Sequence, residues 1–430
     1  MTPRALVAWK TLFVSLQLAM FVGIAEAAEF QQTPAVLCQP RAGLGNVLEK
    51  LAAGKEVRIA YFGGSITDAA GWRPKTTAWF KKQFPKASIR EIHAAIGGTG
   101  SDLGVFRYQE DVLRHKPDLV FVEFSVNDGG AQPEAIYRSM EGIVRQTWRA
   151  DPSIDLCFVY TFVVGFANDL NRGLCPRSAS ADEYLAEYYG VPSVNVALRI
   201  AQLGQEGKVV FQAAENDKTP VPPGKFVFSH DGVHPLDAGH EVYTQVIANA
   251  VQTIQKQSKP GPHELKKPFR ADNWENARLV PLDAKMLSGS WRKMDLRKGP
   301  LSWLRDRLPV IWEGTTPGDR IQFRFKGTMV GLYDIMGPDG GQLAWTIDGK
   351  SGGPSPRFDS YCSYWRRASL QLAEGLEDAE HTVTIEIHPK QPDRSSVINR
   401  VRAQPGFDPK MYDGTKAWIA YVMMLGERIE

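Results

Sequence analysis

Between Val57 and about Gln257 the chain alternates short apolar runs with amphipathic stretches, and past about residue 274 that alternation stops. This change of pattern constrains the fold more than any other feature. Val57–Phe62, Ile89–Ile96, Asp118–Phe124, Asp155–Phe162 and Val191–Val194 are rich in β-branched and aromatic residues and read as buried strands. Helical patterns lie between and after them, at Thr76–Phe84, Asp102–Arg114, Pro133–Ala150, Ala181–Tyr189 and Leu236 to about Lys256. Pro133 near a helix start and Asp151-Pro152 at its end are the expected punctuation. Strands alternating with helices predict a parallel sheet covered on both faces, with ligands bound at the carboxyl ends of its strands.

Beyond that region Ile321–Phe325, Thr328–Tyr333, Leu343–Ile347, Ser369–Leu372, His381–His388 and Trp418–Met424 look like strands separated by Gly, Pro and Asp turns. Almost no helix signal remains, so this part reads as an all-β sandwich or jelly roll. The expected organisation is a signal peptide over 1–27, an α/β domain over 28–257, a Ser-Lys-Pro-Gly-Pro linker over 258–273 and the β-domain over 274–430. A length of 430 residues suits two domains.

The signal peptide is read from Arg4 and Lys10 ahead of the apolar stretch Leu12–Ile24, with Ala25-Glu26-Ala27 as a small-x-small cleavage site. The run is shorter than the ~20 residues of a spanning helix, so a soluble, exported mature protein without a membrane span is expected, in a periplasm or outside the cell. A net charge of +3 gives no case for a nucleic-acid partner. Cys38, Cys157, Cys175 and Cys362 are too few for a disulfide scaffold and lack zinc-site spacing. Cys157 reads as a buried thiol, and a Cys157–Cys175 bridge stays open.

Four polar elements follow one another in order: Gly63-Gly64-Ser65, Ile96-Gly97-Gly98-Thr99-Gly100, Ser125-Val126-Asn127-Asp128 and Asp231-Gly232-Val233-His234. A serine where a strand turns toward a helix exposes its hydroxyl, which becomes a useful nucleophile only when a base takes its proton. The absence of a lysine after these glycines argues against a phosphate-binding loop. His234 and Asp231, three residues apart, supply a base and the carboxylate that fixes its tautomer. His230 is the competing base, whereas His240 and His93 read as structural. The Ser65 and Gly98 amides and the Asn127 side chain are candidate oxyanion donors. Asp128 reads as a brace for that loop. Trp72 and Arg73, on the loop after the serine, are candidates for substrate binding, and Arg73 reads equally as a solvated helix-start residue.

These elements, over roughly Arg58 to His240, resemble the four blocks of the SGNH (GDSL-like) hydrolase superfamily. The resemblance puts Ser65 on the nucleophile, Gly98 on the glycine donor, Asn127 on the oxyanion asparagine, and Asp231 with His234 on the closing dyad. It implies a flavodoxin-like three-layer α/β/α fold and ester hydrolysis through an acyl-enzyme, without metal or other cofactor. The usual Gly-Asp-Ser stands here as Gly63-Gly64-Ser65, and the usual Gly-x-Asn-Asp as Ser125-Val126-Asn127-Asp128. Neither departure removes a catalytic group.

The β-domain, with Trp345, an Asp348-Gly349 turn, Tyr361, Tyr364 and Trp365, loosely resembles jelly-roll modules attached to carbohydrate esterases. Exposed aromatics can stack on sugar rings or equally belong to a core. The expected activity is therefore removal of acetyl or other short acyl groups from carbohydrate. A lipase is disfavoured because no amphipathic lid segment is seen. The alternatives are a carbohydrate O-acyltransferase with the same triad and a non-catalytic glycan-binding protein. Oligomeric state is not readable.

Overall fold

The computed structural model describes residues 30–429, apart from Lys218, Asp306 and Pro309. The expected signal peptide lies outside the described residues.

The α/β part is built on five parallel strands: β1 (Glu56–Gly63), β2 (Ser88–His93), β3 (Leu119–Glu123), β4 (Asp155–Tyr160) and β5 (Ser193–Asn195). Their order is β2-β1-β3-β4-β5, and the short strand Cys38–Gln39 adds antiparallel to β5 at the edge. β3 and β4 are buried along their whole length, which is why they read as unbroken apolar runs rather than alternating ones. Helices cover both faces. α3 (Ser101–Asp111), α4 (Pro133–Ala150) and α5 (Arg177–Tyr189) pack in series on one side. On the other, α7 (Asp237–Gln255) packs against α2 (Trp72–Gln83) and α6 (Val196–Gln205). α1 (Gly45–Ala52) adds Val47, Leu48 and Leu51 to the same core as Tyr61, Phe121 and Val159. This is the flavodoxin-like three-layer arrangement, and its strand order reverses between β1 and β3, the point where such sheets bind ligands.

Three pieces escaped the sequence pattern. α1 and α6 are short, and the two-stranded parallel ribbon of Val209–Gln212 and Phe226–Ser229 stands apart from the main sheet.

The C-terminal part forms an antiparallel sheet of nine strands among the described residues. Its middle is β9-β6-β8-β7, where β6 is Arg320–Met336, β7 Gln342–Ile347, β8 Arg366–His388 and β9 Ala417–Ile429. The separate strands expected at Ile321–Phe325 and Thr328–Tyr333 are one strand, as are those at Ser369–Leu372 and His381–His388. A register shift between Gly327 and Met329 bends β6 without breaking its ladder, so one long strand mimics two in sequence. The helix Ser395–Val401 was not expected; its Val397 and Val401 pack with Met336, Phe358 and Tyr412.

Residues 258–273 carry neither helix nor strand but are bonded down rather than free. The Phe269 and Arg270 amides donate to the Glu141 carboxylate on α4, and Arg145 donates to the Lys266 carbonyl at 2.7 Å. His263 stacks on Trp148 with ring centroids 4.8 Å apart. Beyond this strap Trp274 packs on Phe106 of α3, and Glu374 of β8 pairs with Arg138 of α4 at 2.9 Å. All four cysteines are free thiols, so the Cys157–Cys175 bridge is not made. Among the described residues no helix is long and apolar enough to cross a membrane.

Candidate active site

Ser65 opens a one-turn helix, Ser65–Asp68, directly after β1, and Asn127 opens the turn after β3. The two neighbouring strands thus deliver them to the same rim of the sheet. The His234 loop arrives from elsewhere. It follows the ribbon strand Phe226–Ser229 and is closed by a Ser229–Pro235 bridge and by the Leu236 amide on the Phe228 carbonyl at 2.6 Å. Inside the loop the Ser229 hydroxyl donates to Asp231 Oδ1 at 2.8 Å and accepts from the Gly232 amide at 3.0 Å.

These elements bring three expected residues into one line. His234 Nε2 lies 2.7 Å from Ser65 Oγ, and His234 Nδ1 lies 2.6 Å from Asp231 Oδ2. The amides of Val233 and His234 donate to Asp231 Oδ1 at 2.9 and 2.8 Å. Burial alone would raise the Asp231 pKa. The hydrogen bonds from His234, Val233 and Ser229 outweigh it and hold the carboxyl well below the ordinary carboxylate range. A carboxylate charged throughout keeps the proton on Nδ1 and leaves Nε2 free to accept from Ser65. The side chains of His234 and Asp231 are 50% and 54% exposed, so the line opens to solvent.

The candidate oxyanion donors flank the serine. Gly97 lies flush on it, since a Cβ there would come within 3.6 Å of Ser65 Cβ. Gly98 has φ +73° with open space around it, so its backbone hand rather than crowding demands glycine. At Gly64 crowding decides: a Cβ would sit 1.9 Å from Asn127 Oδ1. The Asn127 side chain therefore fills the space beside the residue where an aspartate is usual. Asp128 accepts from the Ser101 amide at 3.0 Å, tying the Asn127 turn to the end of the glycine loop, as the brace expectation had it.

Trp72 and Arg73 require correction as substrate-binding candidates. Trp72 is fully buried, edge-on to Tyr61 at 5.3 Å and Phe121 at 6.0 Å. Arg73 is buried, pairs with Glu91, and donates to the Thr67 carbonyl at 3.1 Å. Both support the serine turn from beneath and cannot reach a ligand. His230 faces the Ala213 carbonyl at 2.8 Å, away from the serine. His240 accepts from the Trp72 amide at 3.2 Å, and its burial pushes its pKa down to about 4. His93 is held by Asp68 at 2.8 Å.

Residues beneath the site went unrecognised in the sequence. Glu123, at the end of β3, accepts from the Thr67 and Thr161 hydroxyls, each at 2.7 Å, and its burial pushes its pKa up to about 7. Arg107, fully buried on α3, donates to the Ala94 carbonyl at 2.6 Å and pairs with Asp111 at 2.8 Å. A charged residue amid Leu103-Gly104-Val105-Phe106 and Tyr108 was the only signal. A cleft of about 520 Å³ starts at Gly98 and Asn127 and is walled on its far side by Met336, Arg366 and Arg367 of the β-domain.

Residues 61–242, which contain the whole constellation, match the GDSL-like lipase/acylhydrolase family. The α/β part is a GDSL-like lipase/acylhydrolase domain. No curated protein matches the chain. Among solved structures the chain is similar to a two-domain esterase, CEX, active on acetylated mannans, solved with mannopentaose and without it. Identity to the mannopentaose complex is 20% with a TM-score of 0.67, over 91% of this chain and 97% of that one. The structure without mannopentaose gives the same identity and TM-score over 91% and 98%. The similarity therefore extends past the GDSL-like domain into the β-domain and shows a common two-domain fold.

Proposed function

We infer that this protein is a serine ester hydrolase that works through an acyl-enzyme and removes acetyl or other short acyl groups from carbohydrate. The observation that carries the reading is the unbroken Ser65–His234–Asp231 hydrogen-bonded line, open to solvent, beside Gly98 and Asn127. Ser65 Oγ attacks the ester carbonyl as His234 Nε2 takes its proton, and Asp231 stabilises the imidazolium. The Ser65 and Gly98 amides and the Asn127 side chain serve the developing oxyanion. His234 returns the proton to the leaving sugar hydroxyl. It then takes a proton from the water that attacks the acyl-enzyme and returns it to Ser65 Oγ as the acid leaves.

A carbohydrate substrate is supported by three things together. The cleft leaving Gly98 and Asn127 has a wall from each domain, and Tyr361 and Tyr364 stand exposed on the β-domain. The two-domain fold is shared with an esterase active on acetylated mannans. The N-terminal sequence adds export through a signal peptide to a periplasm or the cell exterior. Hydrolysis of 4-nitrophenyl acetate, butyrate and octanoate, wild type beside Ser65→Ala, tests the reading. The expected result is short-chain turnover that falls at least ~10³-fold in the variant with its melting curve unchanged. Retained turnover by Ser65→Ala overturns the assignment, and acyl transfer to added glycan in place of acid release would make the protein an acyltransferase.

A further inference from the structure

The three residues that lead from β2 into the glycine loop, His93, Ala94 and Ala95, present their carbonyls to arginines from two different domains. Arg107 of α3 takes the Ala94 carbonyl at 2.6 Å and reaches the Gly63 carbonyl at 3.3 Å. Arg307 comes from the β-domain and takes the two carbonyls on either side, His93 and Ala95, both from Nη1 at 3.2 Å. Buried Leu304 and Leu308 flank Arg307 in the chain and anchor its segment.

Arg307 also reaches the serine turn. Its Nη2 lies 3.2 Å from His93 Nδ1 and 3.4 Å from His93 Nε2, set against the imidazole as a whole. His93 Nε2 in turn lies 2.8 Å from Asp68 Oδ1, and Arg307 Nη2 itself stands 3.8 Å from the same oxygen. Asp68 closes the one-turn helix that Ser65 opens. One guanidinium therefore holds both pieces whose spacing sets the candidate oxyanion hole: the strand exit before Gly97-Gly98, and the turn carrying the Ser65 amide.

We propose that Arg307 is a positioning residue for the oxyanion donors, so that the β-domain acts on the acyl-transfer step itself and not only on the capture of glycan. The inference rests on the reading of Ser65 as nucleophile. Its consequence is specific: a substrate too small to reach the β-domain still depends on Arg307. Lysine in its place offers a point charge without the fork that spans two carbonyls and a ring nitrogen.

The test is kcat and KM of the full chain on 4-nitrophenyl acetate for wild type, Ser65→Ala, Arg307→Ala and Arg307→Lys, with active sites counted by a fluorophosphonate. Arg307→Ala is expected to lose about 10–100-fold in kcat, the scale of a small misplacement of catalytic groups, with KM little changed and active sites fully counted. Added millimolar guanidinium chloride is expected to restore part of the loss, which a purely structural defect would not show. Arg307→Lys is expected to fall between, and it decides the matter if the alanine variant does not fold. Wild-type kcat in either folded variant overturns the proposal, as does a loss that only mirrors missing active sites. If wild type turns over ester and Ser65→Ala does not, such a result defeats only the role of Arg307. If wild type hydrolyses no ester, the hydrolase reading falls and takes this one with it.

Discussion

Two sets of carboxylates stand near Ser65, in opposite surroundings. Asp231 is half exposed on a loop, receives hydrogen bonds from Ser229, Val233 and His234, and is held well below the ordinary carboxylate range. Glu123 and Asp128 are buried and accept from hydroxyls and an amide rather than from a cation, and Asp182 is buried as well. Burial pushes Glu123 and Asp128 up to about 7, and pushes Asp182 well above its ordinary value with help from the neighbouring acids. Same functional group, opposite charge preference: the number of donors against the loss of water decides which form persists. The loop carboxylate is kept charged beside the His234 imidazole. Glu123 and Asp128 tie turns together as hydrogen-bond acceptors and are shifted toward the neutral form while doing so.

The contrast breaks most sharply at Asp231. Asp231→Asn keeps an acceptor for the loop amides but removes the charge that fixes the histidine tautomer, so kcat on 4-nitrophenyl acetate should fall about 10³–10⁴-fold in a variant that still folds but is less stable at neutral pH. Asn127→Ala, which removes a neutral donor rather than a charge, should cost about 10²–10³-fold in kcat and little in KM.

Asp128→Asn tests the buried set through stability. The wild-type carboxyl titrates near 7 when folded and near the ordinary ~4 when unfolded. Its contribution is therefore full below about pH 4 and is lost as pH rises toward 7, because the unfolded chain ionises first. The asparagine variant should gain roughly 1–3 kcal/mol relative to wild type at pH 7.5 and nothing at pH 4, read by denaturant melts at the two pH values. Asp231 has the reverse sign: what it adds to stability is present above the ordinary carboxylate pKa and lost as pH falls through its depressed value. An Asp128→Asn variant that instead lost stability at pH 7.5 would place Asp128 in the charged class with Asp231, and an unchanged pH dependence would mean that folding does not shift its pKa. The smallest effect is expected at Tyr361, 63% exposed on the β-domain. Tyr361→Ala should move stability by no more than about 0.5 kcal/mol and leave 4-nitrophenyl acetate turnover unchanged, while raising KM for an acetylated polymer.

What was legible in the sequence was local. β3 and β4 read clearly because a strand buried on both faces is a nearly unbroken apolar run, whereas the edge strand β2 is only partly buried and read from its β-branched residues. The Asp231–His234 spacing read clearly because the pair meets within one loop. Trp72 and Arg73 were misread for the converse reason: position next to a serine turn says nothing about which side of the backbone a side chain takes. The long strands β6 and β8 each read as two because a bend and a break look alike until the partner strands are known.

The succession of strands and helices, the glycine turn before Ser65 and the residue types of the proposed triad were thus determined by the sequence alone, through periodicity and short-range spacing. Only the tertiary structure decided that Asn127 fills the space beside Gly64, that Glu123 is buried against the serine turn through Thr67, and that Arg107 and Arg307 grip consecutive carbonyls from two domains. Those contacts join residues as far apart as 214 positions. Their energy comes from desolvation and hydrogen-bond partners, which a local pattern does not contain.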